Sequence, residues 1–280
     1  MENGLKQLIR KHGFSFKKAF GQNFLTDENL LDEIVESAGV TDSDTVLEIG
    51  CGAGALTRAL AKRAKRVIGY EIDKTLKPLL EDVLDGFDNV EIVFKDVMKE
   101  RIADIDAKLG KYILVANLPY YITTPIIMQF LEVSNNVSAM VIMVQEEVAY
   151  RLCAKEGTAD YGAITVAINL RGDAEIVKNV PRDMFTPPPN VDSAVVKITI
   201  DNDKFKDLDL KNIRNVVKAG FGNRRKMLVN NLMMAFKLNR AQAEAVLNNS
   251  NISLTARGEE LSSDDYIKLS EEIKKVQDEK

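Results

Sequence analysis

The sequence predicts a doubly wound α/β domain on a mostly parallel sheet, closed by an antiparallel strand and followed by a small all-helical domain. Three observations carry this. From residue 45, short β-branched runs alternate with amphipathic stretches of helical spacing, as in strands joined by crossover helices. The first run leads straight into a glycine-rich turn, Gly50-Cys51-Gly52-Ala53-Gly54. Past residue 203, helical periodicity continues without a strand candidate.

In order, residues 45–49, 66–72, 90–94, 112–116 and 139–144 read as strands, because β-branched and aromatic side chains fit a pleated, buried surface. Two later runs, 175–180 and 194–200, are separated by too few residues for an ordinary crossover helix. They predict an antiparallel hairpin closing the sheet. Pro187, Pro188 and Pro189 fall in their connection, where residues that cannot donate to a central ladder stiffen an extended loop. The polar stretch 201–210 marks a boundary near Asp203. Residues 1–203 are therefore expected to form the α/β domain and 204–280 the helical one.

Two cysteines, Cys51 and Cys153, and one histidine, His12, are too few soft ligands for a zinc site. The expectation is a metal-free protein of a reducing compartment. Apolar runs such as 139–144 are far shorter than the roughly 20 residues that cross a bilayer, and the N-terminus lacks the apolar core of a signal peptide. A cytoplasmic protein with no membrane partner is expected.

Net charge is −4, but it is unevenly spread. Residues 211–240 carry Lys211, Arg214, Lys218, Arg224, Arg225, Lys226, Lys237 and Arg240 without one acid, and residues 1–20 carry five basic side chains against Glu2. A basic run is either a solvated helix face or a surface for a polyanion. The missing acids favour the second, with Arg224, Arg225 and Lys226 as its densest part.

The glycine turn follows Glu48-Ile49, and Glu71 ends the second strand about twenty residues later. Glycines such as Gly50 and Gly52 permit a tight turn and bring backbone amides close to a ligand. A carboxylate at Glu71 can accept hydrogen bonds from ribose hydroxyls. Gly50, Gly52 and Ala55 also satisfy the relaxed dinucleotide pattern, so a nicotinamide enzyme stays open. Asp96, just past the third strand, can reach the exocyclic amine of a bound adenine ring.

The fourth strand ends at Asn117-Leu118-Pro119-Tyr120. Pro119 holds Leu118 extended, so that main-chain carbonyls point outward. An amine on an aromatic base is a poor nucleophile, because its lone pair is delocalised into the ring. Two acceptors on its N–H bonds, the Asn117 side-chain oxygen and the Leu118 carbonyl, favour a pyramidal nitrogen with its lone pair aimed at a methyl donor. No strong base is then needed, and rate comes from positioning and preorganised dipoles. The base must be unpaired or flipped. Tyr120 is placed to stack on one face and Phe185 on the other, with core packing the alternative for Phe185.

With these residues in hand, the chain closely resembles the KsgA/RsmA family, the small-subunit rRNA adenine N6-dimethyltransferases with a Rossmann-like class I methyltransferase sheet. The resemblance rests on residues 18–25 (Lys-Ala-Phe-Gly-Gln-Asn-Phe-Leu), the glycine turn, Tyr70-Glu71-Ile72-Asp73, Asn117 to Tyr120, and residues 144–149. It continues through 185–193, 221–232 and 257–261, nearly the whole chain. It implies S-adenosyl-L-methionine as cofactor, contacted by Asn23, Leu25, Gly50, Glu71, Asp96 and Asn117, with the basic segment 1–25 covering it.

It also implies 16S rRNA within an assembling 30S subunit as partner, with two adjacent adenosines near the 3′ end each receiving two methyl groups. A monomer is expected. Cys51 stands where the family commonly has Pro, and Lys95 where Gly is frequent. The alternatives are an Erm-type 23S rRNA adenine methyltransferase and a non-catalytic assembly factor of the same fold. Leu118, the segment 221–226 and Arg257-x-Glu259-x-Leu261 look like the small-subunit family.

Overall fold

The computed structural model describes residues 7–8, 11–13, 23–25, 27–203 and 208–278. Most of the basic segment 1–25, including residues 18–22 of the family-like motif, lies outside the described residues. The chain divides into two compact units, Met1–Ala149 with Asp173–Asn202, and Tyr150–Gly172 with Asp203–Lys280.

The first unit holds two sheets. The strands, in chain order, are β1 (Phe24–Leu25), β2 (Thr45–Ile49), β3 (Arg66–Tyr70), β4 (Val90–Val93), β5 (Tyr112–Asn117), β6 (Val137–Gln145), β7 (Gly172–Val180), β8 (Phe185–Thr186) and β9 (Ser193–Ile200). Seven of them form one sheet in the order β4-β3-β2-β5-β6-β9-β7. From β4 to β6 all pairs are parallel, and β9 runs antiparallel to β6. The predicted strands are therefore present, and the chain's last strand slots between β6 and β7.

The helices α1 (Glu28–Ala38), α2 (Ala55–Ala61), α3 (Lys77–Val83), α4 (Ile102–Leu109) and α5 (Thr123–Val133) fall between the strands of this unit. In α1, Leu30, Leu31, Ile34, Val35 and Ala38 recur at helical spacing and are buried. The Asp27 carboxylate accepts from the Leu30 N–H at 2.9 Å, and Gly39 ends the helix at φ 68°. Such a cap satisfies an otherwise orphaned donor and stabilises by about 1 kcal/mol. The central strands are buried on both faces, with Val46, Leu47, Val67, Leu114 and Val115 fully enclosed, which is why they read as continuous apolar runs.

Register makes the site. Ile49 pairs with Tyr70 on one side and with Ala116 on the other. The next residues along each strand, Gly50, Glu71 and Asn117, therefore emerge at one level of the sheet's carboxyl edge. Ligands of open α/β sheets bind at that edge.

The second unit contains α7 (Ala163–Asn169), α8 (Leu210–Gly220), α9 (Leu228–Phe236), α10 (Arg240–Asn249) and α11 (Ser263–Asp278). The helix α6 (Glu146–Leu152) spans the point in the chain where the first unit's segment ends at Ala149 and the second's begins at Tyr150. The expected boundary near Asp203 coincides with one junction, but residues 150–172 also belong to the helical unit, which corrects the division at 203 alone. The physical reason is burial: Tyr161, Val166 and Leu170 share one apolar core with Ile213, Leu228 and Tyr266. An amphipathic segment does not declare which core receives its apolar face.

Candidate active site

Asn23, Leu25, Gly50, Gly52, Glu71, Asp96, Asn117, Leu118, Pro119 and Tyr120 all line one crevice at the carboxyl edge of the sheet. Phe24, Ile72, Met98 and Tyr121 line it too.

The glycine turn is shaped by three residues in the left-handed region, Gly50 (φ 81°), Gly52 (φ 54°) and Gly54 (φ 81°). A side chain at Gly52 would press against the Phe24 ring, whose Cε1 lies 3.0 Å from the ideal Cβ position. The Gly50 N–H donates to the Tyr70 carbonyl at 2.8 Å, and the Gly54 N–H to that of Cys51 at 2.8 Å. The turn is thus pinned to the end of β3.

Glu71 completes the tie. One carboxylate oxygen accepts from the Gly52 N–H and the other from the Asp73 N–H, each at 2.8 Å. Burial raises its pKa, while the hydrogen bonds from the Asp73, Gly52 and Ile72 backbones oppose the shift. A carboxylate has about four acceptor positions, so two backbone donors fix its orientation and leave capacity for ligand hydroxyls.

Asp96 accepts from the Met98 N–H at 3.0 Å, capping the short turn Val97–Lys99. Lys95 reaches back to Glu100 at 3.2 Å.

Asn117 donates its side-chain N–H to the Asn23 carbonyl at 3.4 Å. Its side-chain oxygen is then the atom that accepts. The Pro119 carbonyl accepts from the Ile122 N–H at 3.1 Å and from the Thr123 hydroxyl at 3.4 Å, which fixes the turn into α5. The Tyr120 hydroxyl sits 2.9 Å from that of Ser193, and burial raises the Tyr120 pKa.

Cys51 is buried, its thiol pushed well above its usual pKa by burial. It packs where a Cβ on Gly69 would collide with its sulfur. The cysteine therefore fills space beside β3 as a neutral thiol.

Phe185 is the correction among the crevice residues. It does not line the crevice; it is 3% exposed and packs in the apolar core with Leu25, Leu31 and Val35. Its backbone explains this, because β8 pairs antiparallel with β1 and sets Phe185 opposite Leu25 and Thr186 opposite Phe24. A two-residue strand carries no periodicity from which to foresee the pairing. Tyr121, 65% exposed at the crevice, was not singled out by sequence reasoning, although its adjacency to Tyr120 was the available signal.

The basic residues of the second unit divide. Arg224, Arg225 and Lys226 are all exposed. Arg224 is engaged as well, with Nε 3.0 Å from the Glu259 carboxylate and a terminal nitrogen donating to the Ala159 and Tyr161 carbonyls at 2.9 and 3.0 Å. Its guanidinium, expected on RNA, is thus also tied within the second unit at the surface. Around it, the Tyr161 hydroxyl donates to the Leu261 carbonyl and that of Tyr266 to the Gly258 carbonyl, each at 2.9 Å. Phe221 lies between the two rings, 6.1 Å from each centroid. Segments 221–226 and 257–261 thus form one structural joint. A Cβ on Gly258 would collide with the Gly220 carbonyl.

Among the described residues, no group of His, Cys, Asp and Glu side chains is arranged to hold a metal, and no helix is long and apolar enough to cross a membrane.

A sheet of this order, fed at adjacent strand ends by a glycine turn and by Asn-Leu-Pro-Tyr, is that of a Rossmann-like methyltransferase, and the chain is an enzyme of that class. The profile of ribosomal RNA adenine dimethylases matches residues 13–275, and the chain belongs to that family. It is 45% identical to the ribosomal RNA small subunit methyltransferase A of Bacillus licheniformis over 97% of this chain and 96% of that one. With the enzyme of the same description from Clostridioides difficile it is 44% identical, over 96% and 94%.

Among solved structures it is similar to a dimethyladenosine transferase from Plasmodium falciparum (TM-score 0.78, 28% identity, 91% of this chain and 98% of that one). It is also similar to the 23S rRNA methyltransferase ErmE (TM-score 0.69, 28% identity, 90% and 100%). Family membership sets the nicotinamide reading aside.

Proposed function

We propose that the chain transfers methyl groups from S-adenosyl-L-methionine to the N6 amines of two adjacent adenosines in the 3′-terminal hairpin of 16S rRNA. The product is N6,N6-dimethyladenosine, formed on an assembling 30S subunit by a cytoplasmic monomer. The observation that carries this reading is the alignment of Gly50, Glu71 and Asn117 at one level of the sheet edge, with the Asn117 amide nitrogen already engaged by Asn23. The near full-length likeness to small-subunit methyltransferases supports the choice of RNA.

The crevice fits S-adenosyl-L-methionine. Its glycine turn leaves no room for a side chain at Gly52, and Glu71 is anchored with acceptor capacity remaining. Gly50 and Gly52 would bring backbone to the methionyl end, Glu71 would take the ribose hydroxyls, and Asp96 the adenine amine, with Asn23 and Leu25 closing the site. When bound, the cofactor supplies an electrophilic methyl group on a sulfonium, which departs as a neutral thioether.

The protein's part is to make the substrate nitrogen nucleophilic. The Asn117 side-chain oxygen and the Leu118 carbonyl accept the N–H bonds of the amine, two before the first transfer and the remaining one before the second, favouring a pyramidal nitrogen. Tyr120 stacks on the flipped base, and stacking of this kind contributes roughly 1–3 kcal/mol. After transfer the nitrogen is cationic and loses a proton without a strong base. Preorganised acceptors need no reorientation as charge develops. Arg225 and Lys226 are among the exposed cations available for phosphate contacts.

The ErmE likeness keeps a second reading, methylation of 23S rRNA. Labelled S-adenosyl-L-methionine offered with unmethylated 30S particles and with 50S particles separates the two. Label in N6,N6-dimethyladenosine of 16S rRNA is expected. Label in 23S rRNA alone would replace this reading with the Erm-type one, and binding to 30S without any transfer would leave an assembly factor.

A further inference from the structure

We propose that Ser193 is a positioning residue for methyl transfer, acting through the hydroxyl of Tyr120 to fix the ring that stacks on the target base. The proposal rests on the function given above.

Tyr120 lines the crevice, and its phenolic oxygen lies 2.9 Å from Ser193 Oγ. Ser193 is fully buried at the first residue of β9. Its backbone is set by pairing opposite Gln145, the last residue of β6. The residue before it is held as well: the Asp192 carbonyl accepts from the Glu146 N–H at 3.1 Å, and the Asp192 carboxylate from the Arg182 N–H at 2.9 Å. The serine hydroxyl is therefore a fixed point on the rigid sheet, not on a loop.

At its other end Tyr120 follows Pro119, whose carbonyl is held by Ile122 and Thr123. A tyrosine ring turns about two side-chain bonds; the phenolic oxygen lies on the axis of the second, so a hydrogen bond there fixes the first bond and with it the place of the ring in the crevice, while the hydroxyl's preference for the ring plane restrains the second only weakly. Stacking is favoured when the ring is already in place as the base arrives, because a ring free to leave the crevice loses rotamer freedom on binding. Burial keeps the phenol protonated, so the contact persists through the neutral range.

The test uses wild type, Ser193→Ala, Tyr120→Phe, the double variant and Ser193→Thr, assayed on unmethylated 30S particles for kcat, with cofactor affinity by calorimetry. One hydrogen bond of ordinary strength corresponds to roughly a threefold to tenfold change. Ser193→Ala and Tyr120→Phe should each lower kcat by about that factor, the double variant should fall no further, and Ser193→Thr should recover. Cofactor affinity should stay unchanged throughout.

Unchanged kcat in Ser193→Ala, multiplied losses in the double variant, or loss of cofactor affinity in step with kcat would each overturn the proposal while leaving the function intact. A wild-type protein that transfers no label overturns both.

Discussion

The side-chain N–H of Asn117 donates to the backbone carbonyl of Asn23, 94 residues earlier in the chain, at 3.4 Å. The contact orients the amide at the end of β5 so that its oxygen is the acceptor. Asn117→Ala should therefore reduce methyl transfer about 100-fold, the scale for losing one preorganised polar group at a reacting centre. RNA binding should stay within about twofold. Single-turnover transfer compared with filter binding checks this, and equal loss of both would remove Asn117 from the chemistry.

Glu71 accepts two backbone N–H bonds while lining the crevice. In Glu71→Gln an amide NH2 must face one of those donors. Hydrogen bonds to charged groups contribute about 1.5–3 kcal/mol, so affinity for S-adenosyl-L-methionine should fall at least tenfold by calorimetry. Unaltered affinity would show that the carboxylate serves the turn alone.

Glu48 is fully buried, and neither carboxyl oxygen has a hydrogen-bond partner among the described residues. Burial pushes its pKa to about 8, the neighbouring Thr57 only partly opposing the shift and the Glu71 charge adding to it. The folded state thus holds a proton that the unfolded state releases near pH 4.5. This contribution is fully present below 4.5 and is lost as pH rises through 8. Glu48→Gln should flatten the fall in melting temperature between pH 4.5 and about 8, the range between the unfolded and folded values. A parallel fall in both proteins would refute the assignment.

Arg224 braces the second unit against Glu259, Ala159 and Tyr161. Arg224→Ala should lower stability by about 1–3 kcal/mol, the sum of a partly exposed ion pair and two hydrogen bonds. Arg225→Glu with Lys226→Glu should leave the melting temperature nearly unchanged and weaken particle binding in a salt-dependent way. Salt-independent weakening in that pair would mark them as structural as well.

Phe185 packs in the core opposite Leu25. Phe185→Ala should cost about 3–5 kcal/mol of stability, whereas Phe185→Leu should retain most turnover. A Phe185→Leu protein of normal stability that has lost its turnover would restore the stacking role.

Much of the architecture was legible because the sheet's central strands are buried on both faces and so write continuous apolar runs into the sequence. The crevice was equally legible at Gly50, Glu71 and Asn117, since parallel strands end where apolar runs end. Phe185 and Arg224 share a reason for what the sequence did not show: their residue types suit a functional role, and only their partners reveal the core packing of the one and the surface brace of the other. Ser193 and Tyr121 gave no signal strong enough to separate them from ordinary serines and tyrosines.

The sequence by itself determined the strands of the main sheet, the glycine turn, the Asn-Leu-Pro-Tyr segment and the family, because each is a local pattern of residue types. Tertiary structure alone decided that residues 150–172 join the helical unit, that β1 and β8 pair and draw Phe185 inward, that Arg224 ties to Glu259, Ala159 and Tyr161, and that Tyr120 meets Ser193. These are contacts between residues far apart in the chain. Their formation depends on which buried surfaces and hydrogen-bonding groups meet in space, and local periodicity does not record that.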